Sequence, residues 1–243
     1  MRQEIRRVFV VKVHPIKAFS DNYIWCIETG TKAVIIDPGE AAGVLAHLEQ
    51  NGLHLAAVLL THNHGDHTGG VKEILAKYPE TPVFGPEETA PLANRIVREG
   101  DSFELLGQTF QVLETGGHTH GHISYLAGGH LFCGDALFSA GCGRVFTGDY
   151  GAQFETLQKF KRLDGNIKVY PGHEYTEANL RFAQKMEPEN EDISKALDEV
   201  RHLRAKGEPT LPTTIGREKK INLFLQAETL AEFIELRNAR DKF

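Results

Sequence analysis

The residues of this chain best suited to chemistry are three histidines and one aspartate within six consecutive positions: His62, His64, Asp66 and His67. They follow the apolar run Ala56–Leu60, which predicts a buried strand, and they precede two glycines and a helical pattern. Imidazole nitrogens and a carboxylate oxygen, with no thiolate among them, suit a divalent cation such as zinc, manganese or iron. The segment therefore predicts a metal site at the end of a strand.

Three further potential ligands occur downstream, and each follows or ends an apolar run: His118, Asp135 and His173. A rigid sheet would hold side chains at its strand ends toward one shared cleft. This recurrence argues against the alternative in which the histidines merely lie exposed in a polar loop. A single metal ion needs three or four ligands. The seven candidate ligands are therefore enough for two ions.

Length and composition are those of an ordinary globular protein. The 243 residues suffice for one large or two modest domains, with 41% hydrophobic and 25% charged residues. The net charge of −6 argues against a nucleic-acid surface, because phosphate binding depends on clustered Lys and Arg. No stretch approaches the roughly 20 apolar residues of a membrane span. The run Val8–Val11 is also too short for a signal sequence.

The three cysteines, Cys26, Cys133 and Cys142, are odd in number and show no CxxC spacing. They favour a reducing compartment, and the expected location is the cytoplasm. We expect all three to be buried as small hydrophobic side chains. A ligand role for Cys133 or Cys142, which lie close to Asp135 in the sequence, is the alternative.

Residues 1–170 have the pattern of short strands separated by glycines, with helices between them. This mixture predicts a layered α/β sandwich. The predicted helices are Ala41–Asn51, Gly70–Tyr78 and Gln153–Leu163. The predicted strands are Val8–Val13, Tyr23–Glu28, Ala33–Ile36, Ala56–Leu60, Thr109–Leu113, Ile123–Leu126, His130–Cys133 and Ile167–Tyr170.

After Tyr175 the pattern becomes helical. Residues 208–216 are rich in Pro and Thr and predict a loop between helices. The tail is too small to be independent and is expected to pack on the rest of the chain. The predicted helices are one capped by Thr176 that stops before Pro188, one with Ile193, Leu197, Val200 and Leu203 on one face that ends at Gly207, and one from about Ala227.

The pattern HxHxDH after a strand, with a later His, Asp and His, resembles the metallo-β-lactamase superfamily. The resemblance implies an α+β fold, a four-layer αβ/βα sandwich over residues 1–173 with its metals at one edge of the two sheets. A small C-terminal α-helical domain would follow at residues 174–243. Asp37 is similar to an element that supports the ligands in that fold, although an ordinary aspartate of a strand-ending turn is the alternative.

Several other stretches narrow the resemblance to the glyoxalase II family, the hydroxyacylglutathione hydrolases. Together they span nearly the whole chain, including a helical tail that many members of the superfamily lack. The stretches are Phe19–Tyr23, Gly134–Arg144, Gly172–Thr176, Lys219–Asn222 and Leu236–Phe243. Two extra histidines, His120 and His130, have no role in that family and are expected to be bystanders.

By this resemblance the chain binds two divalent metal ions, zinc in the first place and iron or manganese as alternatives. The implied ligands are His62, His64 and His118 for one ion, Asp66, His67 and His173 for the other, and Asp135 as the bridge. Asp66 and Asp135 are then also catalytic, because they help to hold a bridging hydroxide, of pKa about 7, that attacks a thioester carbonyl. A thiolate leaving group, with a pKa of about 8.5, needs no strong general acid.

The resemblance also implies a clamp for glutathione, which has two carboxylates and one ammonium group. Arg237 and Arg240 lie on neighbouring turns of the predicted last helix, and an arginine can bind a carboxylate through two hydrogen bonds. On the sequence alone, both arginines could instead complement the helix C-terminus or be solvated. The implied substrate-binding residues are Arg144, Phe146, Tyr175, Arg237 and Arg240.

The implied reaction is hydrolysis of S-D-lactoylglutathione, and of related 2-hydroxyacyl thioesters, to D-lactate and glutathione in methylglyoxal detoxification. We expect a monomer with a small-molecule substrate and without nucleic-acid or membrane partners. The enzyme alternatives are a lactonase, β-lactamase or general thioesterase of the fold, and a single-iron persulfide dioxygenase in which His67 and His173 are not ligands. The non-catalytic alternative is a di-iron redox module, which would need a flavin-binding partner domain that the sequence after Tyr175 does not resemble.

Overall fold

The N-terminal part of the chain forms the first of two sheets. The structure is a computed structural model that describes residues 11–243. Its strands are β1 (Lys12–Ala18), β2 (Asn22–Thr29), β3 (Lys32–Ile36), β4 (His54–Leu59), β5 (Val83–Gly85) and β6 (Arg95–Ile96). They lie in sequence order, antiparallel from β1 to β3 and parallel from β3 to β6. The parallel strands therefore direct their carboxyl ends to one edge of the sheet.

The second sheet is formed by the following six strands. They are β7 (Ser102–Leu105), β8 (Gln108–Glu114), β9 (Ile123–Ala127), β10 (His130–Gly134), β11 (Lys168–Pro171) and β12 (Thr213–Thr214). Their order in the sheet is β12-β11-β10-β9-β8-β7. Strands β10 and β11 are parallel, whereas the other neighbours are antiparallel. The loops that follow β10 and β11 consequently emerge on the same side.

The helices cover the outer faces of the two sheets. They are α1 (Ala42–Gln50), α2 (Gly65–Thr68), α3 (Val71–Lys77), α4 (Tyr150–Lys161), α5 (Thr176–Met186), α6 (Glu191–Ala205), α7 (Ile215–Ile221), α8 (Leu223–Gln226) and α9 (Leu230–Asp241), with a 3-10 helix at Glu87–Thr89. Side chains of Asn190, Thr214, Asn222 and Thr229 accept hydrogen bonds from the first turns of α6 to α9 and so fix where these helices begin. Within residues 11–243, no helix is long and apolar enough to cross a membrane.

Alternating side chains of the facing strands form the central core. Trp25 and Ile27 of β2 pack with Phe110 of β8 and with Tyr125 and Phe132 of the second sheet. Residues two apart in a strand point to the same face, so the intervening side chains point outward, toward the helices. A second cluster joins the outward-facing side chains of the second sheet to α4 and the C-terminal helices. The order helix, sheet, sheet, helix is the four-layer sandwich that the sequence predicts, with a helical C-terminal region.

The seven strands predicted between residues 23 and 171, and the helices at 42–50, 71–77 and 150–161, agree with the structure to within three residues, whereas β5, β6 and β7 were not predicted. Half of the predicted strand Val8–Val13 lies outside the described residues, and its last two residues belong to β1. Thr176 is not an N-cap: it is the first residue of α5, and its hydroxyl accepts a hydrogen bond from Thr210. The loop predicted over 208–216 instead contains β12 and the beginning of α7, because Ile215 is fully buried and Thr214 caps that helix.

The C-terminal helices pack on the rest of the chain, as expected. Phe224 and Phe233 belong to the same apolar cluster as Leu157 and Phe160 of α4. Glu218, itself fully buried, accepts hydrogen bonds from Ser139 Oγ and from the Ala140 amide, at 2.8 and 2.7 Å. These contacts hold the segment after β10 against α7. The division of the chain at residue 173 stays a prediction.

Candidate metal centre

The seven predicted ligands meet at one edge of the sandwich. The segment 62–67 follows β4 and enters α2, and His118 lies in the loop between β8 and β9. Asp135 comes directly after β10, and His173 lies two residues after the end of β11. The parallel pairing within each sheet brings these strand ends to the same side. All the ligand-bearing segments thus come from different strand ends, which a rigid sheet holds in place.

The first group of nitrogens is formed by His62, His64 and His118. His64 Nδ1 lies 3.1 Å from His62 Nε2 and 3.0 Å from His118 Nε2. His62 and His118 are almost fully buried. Asp135 Oδ2 lies 3.5 Å from His118 Nε2, at the border between this group and the second one.

The second group joins two imidazoles to two carboxylates. His173 Nε2 lies 3.3 Å from both His67 Nε2 and Asp66 Oδ2. Asp135 contacts both rings, with Oδ1 3.2 Å from His67 Nε2 and Oδ2 3.3 Å from His173 Nε2. Asp135 is therefore the one predicted ligand that approaches both groups.

Hydrogen bonds on the outer side of the rings determine which nitrogens face the centre. The Nδ1 atoms of His118, His67 and His173 lie 2.8, 3.1 and 2.8 Å from the Arg144 carbonyl, Asp37 Oδ2 and Asp21 Oδ1. Carbonyl and carboxylate oxygens only accept, so each Nδ1 carries the proton and donates. The Nε2 lone pairs are then left to point into the centre, as in metal-binding histidines.

Asp37 connects this arrangement to the sheet. Its Oδ1 accepts from the Thr61 amide at 2.8 Å, and its Oδ2 accepts from the Thr61 hydroxyl at 2.7 Å as well as from His67. The Thr61 hydroxyl oxygen lies 3.0 Å from His62 Nδ1. One carboxylate at the end of β3 therefore orients two of the predicted ligand rings, and Asp37 is more than the aspartate of a turn.

The charges of the centre favour a cation. Burial alone would lower the pKa of His173, but hydrogen bonds with Asp135, Asp66 and Asp21 raise it to about 10, so the centre stabilises a positive charge at His173 Nε2, either a proton or a cation that takes the place of that proton. The hydrogen bond from His173 in turn lowers the pKa of Asp66. Burial and the neighbouring His67 hold the pKa of His62 well below its usual range, so that ring stays neutral. Positive charge is thus stabilised next to neutral imidazoles.

The environment of one buried oxygen indicates whether a metal ion fits the centre. Asp135 Oδ1 is inaccessible to solvent and makes no hydrogen bond, although it lies 3.2 Å from His67 Nε2. A buried carboxylate oxygen without a partner is costly, and lone pairs about 3 Å apart repel one another. A divalent cation bound by nitrogen and oxygen would satisfy both. The residues present therefore fit a divalent metal site.

A cleft of about 340 Å³ opens next to the centre. Its wall includes two of the predicted ligands, His118 and Asp135, together with residues of the C-terminal helices. All five predicted substrate-binding residues line it: Arg144, Phe146, Tyr175, Arg237 and Arg240. The structure thus brings residues of α9 into the same cavity as the candidate ligands.

The three arginines of the cleft differ in burial and in how many of their donors are already hydrogen-bonded. Arg237 is buried, and its guanidinium donates to Asp241 Oδ1 at 2.7 Å and to the Cys142 carbonyl at 3.1 Å. Arg240 is half-buried and donates to Asn179 Oδ1 at 3.2 Å. Arg144 is largely exposed, with Nε 3.5 Å from Asp241 Oδ1. Arg144 and Arg240 therefore have donors available to a ligand, whereas the terminal nitrogens of Arg237 hold the wall of the cleft and only its buried Nε lacks a partner.

Two aromatic residues border the entrance. The Phe146 side chain is 64% exposed, and its ring centroid lies 5.3 Å from that of His118. Tyr175 stacks on His173 with a centroid distance of 4.7 Å.

The two histidines predicted to be bystanders lie away from the centre. His120 is exposed outside the cleft, and His130 is hydrogen-bonded to the Tyr170 hydroxyl at the opposite end of β10 from Asp135. The three cysteines are buried and free, as expected.

Several residues that support the centre were not predicted from the sequence. Asp21 orients His173, and Asn22 donates to Asp66 Oδ2 at 3.0 Å. Glu88 joins the two ligand loops, accepting from the Asn63 amide at 3.2 Å and the Gly121 amide at 2.8 Å. Asp21 and Asn22 lie in a stretch that carries the family resemblance, which is the one available signal. Nothing in the sequence around Glu88 indicates its role.

Comparison with known proteins agrees with the fold. Residues 19–173 match the metallo-beta-lactamase superfamily, and residues 174–243 match the hydroxyacylglutathione hydrolase C-terminus. The chain is 51% identical to the hydroxyacylglutathione hydrolase of Glaesserella parasuis serovar 5, over 96% of this chain and 100% of that protein. The chain belongs to the metallo-β-lactamase superfamily and, within it, to the hydroxyacylglutathione hydrolase family.

Two solved structures are similar over most of the chain. ETHE1 from Myxococcus xanthus has a TM-score of 0.71 and 29% sequence identity, covering 94% of this chain and 90% of that one. TTHA1623, solved in a di-iron-bound form, has a TM-score of 0.63 and 27% identity, covering 87% of this chain and 100% of that one. Both similarities extend beyond the residues of the sandwich itself.

Proposed function

We propose that the chain hydrolyses glutathione thioesters of 2-hydroxy acids, S-D-lactoylglutathione among them, to the free acid and glutathione. The observation that carries this proposal is the shared cleft, in which His118 and Asp135 lie in the same wall as Arg240. The name of the relatives, hydroxyacylglutathione hydrolase, supports the substrate class. A lactonase or β-lactamase would have no use for a glutathione clamp contributed by the C-terminal helices.

We assign the seven ligands to two divalent ions, one held by His62, His64 and His118, the other by Asp66, His67 and His173, with Asp135 shared. The di-iron form of TTHA1623 supports two ions. Zinc, iron and manganese all suit this donor set. When bound, such ions would lower the pKa of a water molecule and polarise a carbonyl oxygen, which is the chemistry that thioester hydrolysis requires.

The contribution of the protein is orientation. Asp37, Asp21 and the Arg144 carbonyl fix the imidazole rings before the substrate arrives. Arg240 and the Arg144 side chain would bind the carboxylates of glutathione, while Tyr175 and Phe146 form the walls. The thiolate leaving group has a pKa of about 8.5, so no side chain has to protonate it before it departs.

The decisive experiment compares steady-state hydrolysis of S-D-lactoylglutathione with that of a D-lactoyl thioester of a simple thiol. Two charge-assisted hydrogen bonds of about 1.5 kcal/mol each predict a preference of about 100-fold in kcat/KM. Complete chelation should abolish turnover, and added metal should restore it. Equal rates on the two thioesters, or full activity after chelation, would refute the proposal.

Metal analysis of the same preparation separates the remaining alternatives. A single iron that supports oxygen consumption would favour a persulfide dioxygenase instead. A monomer in the cytoplasm stays a prediction from the sequence.

A further inference from the structure

A second group of potential metal ligands lies on the outer face of the first sheet. It consists of His14 on β1, Cys26 and Glu28 on β2, and His47 on α1, and all four ligand atoms lie within 4.8 Å of one another. Apart from the seven predicted ligands and Asp37, no other such group occurs among residues 11–243. The reaction proposed above uses none of these four residues.

The strand register explains why three of these side chains meet. His14 and Cys26 are directly paired across the antiparallel strands β1 and β2. Glu28 is two residues beyond Cys26 and therefore points to the same face. Helix α1 packs on that face, where its Val44 is in the same apolar cluster as Cys26. His47 lies one turn after Val44 on α1, so its side chain approaches the other three from the helix layer.

The site is separate from the candidate metal centre. Glu28 pairs with Ala33 near the amino end of β3, whereas Asp37, which orients His67, follows the carboxyl end of the same strand. The four side chains also face the helix layer, whereas the candidate centre lies at the edge of the two sheets.

Three of the four distances between donor atoms, 3.1, 3.2 and 3.7 Å, lie within about 0.2 Å of those of a tetrahedral metal site, whereas the fourth, 2.7 Å, is a hydrogen-bond distance that a bound ion would have to widen. Glu28 Oε1 lies 2.7 Å from His47 Nε2 and 3.2 Å from His14 Nε2, and the two nitrogens are 3.1 Å apart. Cys26 Sγ lies 3.7 Å from Glu28 Oε1. Zinc bonds of about 2.0–2.1 Å to nitrogen and oxygen, and about 2.3 Å to sulfur, place tetrahedral ligands roughly 3.3–3.6 Å apart.

Hydrogen bonding alone accounts less well for this convergence. Two imidazole N–H groups directed at one carboxylate oxygen would bring their protons close together, since their nitrogens are only 3.1 Å apart. Cys26 is completely buried, and its thiol is directed at the same oxygen instead of at the surrounding apolar side chains. His14 and His47 remain partly accessible, so an ion can enter from solvent.

We propose that His14, Cys26, Glu28 and His47 form an additional site for zinc or another borderline divalent transition metal. Four protein ligands leave no open position, which is the pattern of a structural site. The ion would join α1 to β2 and to β1, which is the outermost strand of this sheet within residues 11–243. It would bind the Cys26 thiolate, with release of the thiol proton.

Cobalt substitution tests the site without relying on activity. The seven predicted ligands of the other centre offer only nitrogen and oxygen, so a thiolate-to-cobalt charge-transfer band in the near ultraviolet reports on a cysteine. We expect the fully loaded wild-type chain to show this band and Cys26→Ser to lack it. Cys133→Ser is the matched control: Cys133 is also fully buried, with Sγ 3.3 Å from the Leu137 carbonyl, and this variant should keep the band.

A second variant distinguishes loss of the metal site from a folding defect. His47→Gln changes a partly accessible residue of α1 and should lose one equivalent of metal per chain relative to the wild type, with thioester hydrolysis unchanged. This difference does not depend on how many ions the other centre holds. Absence of the band in the loaded wild type, its survival in Cys26→Ser, or an unchanged metal content in His47→Gln would each overturn the proposal.

Discussion

Replacing Asp37 by asparagine should weaken the metal centre although Asp37 is not one of the predicted ligands. Asp37 is 4% exposed and has a positive φ of 51°, a conformation that asparagine also tolerates. The substitution therefore preserves the backbone and the shape of the side chain. It removes the negative charge and changes which hydrogen bonds the side chain can make.

The size of the effect follows from these hydrogen bonds. The asparagine oxygen can still accept from the Thr61 amide, and its amide nitrogen can donate to the Thr61 hydroxyl. The same nitrogen cannot accept from His67 Nδ1, which now lies 3.1 Å from Asp37 Oδ2. Loss of one charge-assisted hydrogen bond costs about 1.5–3 kcal/mol. The same range corresponds to the 10–100-fold loss of metal affinity or activity that is typical of such orienting partners, at about 1.4 kcal/mol per tenfold.

Competition with a chromophoric zinc chelator measures this loss directly, and kcat on the thioester provides a second reading. Asp101→Asn is the control, because Asp101 is an exposed aspartate whose carboxylate accepts from the Arg98 amide, which an asparagine oxygen can also do. If Asp37→Asn keeps both the zinc affinity and the kcat of the wild type, the carboxylate does not orient His67 and the reasoning is wrong.

Three further results are expected. Asp135→Ala should lower kcat by about 100-fold or more even when metal is supplied in excess, because the one residue near both groups is lost; turnover like that of the wild type would contradict its bridging position. Arg240→Gln should raise KM for the glutathione thioester about tenfold with little change in kcat. Arg237→Gln should mainly lower the free energy of unfolding, by about 1–3 kcal/mol. The opposite result would mean that Arg237 binds the substrate and Arg240 stabilises the fold. Glu218→Ala should lower the free energy of unfolding by about 2–4 kcal/mol in urea titrations, because it leaves buried donors of Ser139 and Ala140 without an acceptor; an unchanged midpoint would argue against this.

The convergence of the candidate ligands could be predicted from the sequence because each follows or ends an apolar run. Hydrophobic periodicity locates strands, strand ends meet at sheet edges, and the residue types at those ends define the chemistry. The same local reasoning located α6, whose apolar residues repeat at helical spacing and whose end coincides with Gly207. These features depend on neighbours in the sequence, and the sequence alone therefore determined them.

Only the tertiary structure decided the roles of residues whose partners are distant in the sequence. Glu88 contacts the Gly121 amide 33 positions away, and Asp21 contacts His173 152 positions away. Arg237 and Arg240 look equivalent on one helix face in the sequence. In the structure Arg237 donates hydrogen bonds to Asp241 and to the Cys142 carbonyl, whereas Arg240 makes fewer hydrogen bonds and borders the cleft. No local pattern encodes such differences, because they arise when elements pack and each buried polar group must find a partner.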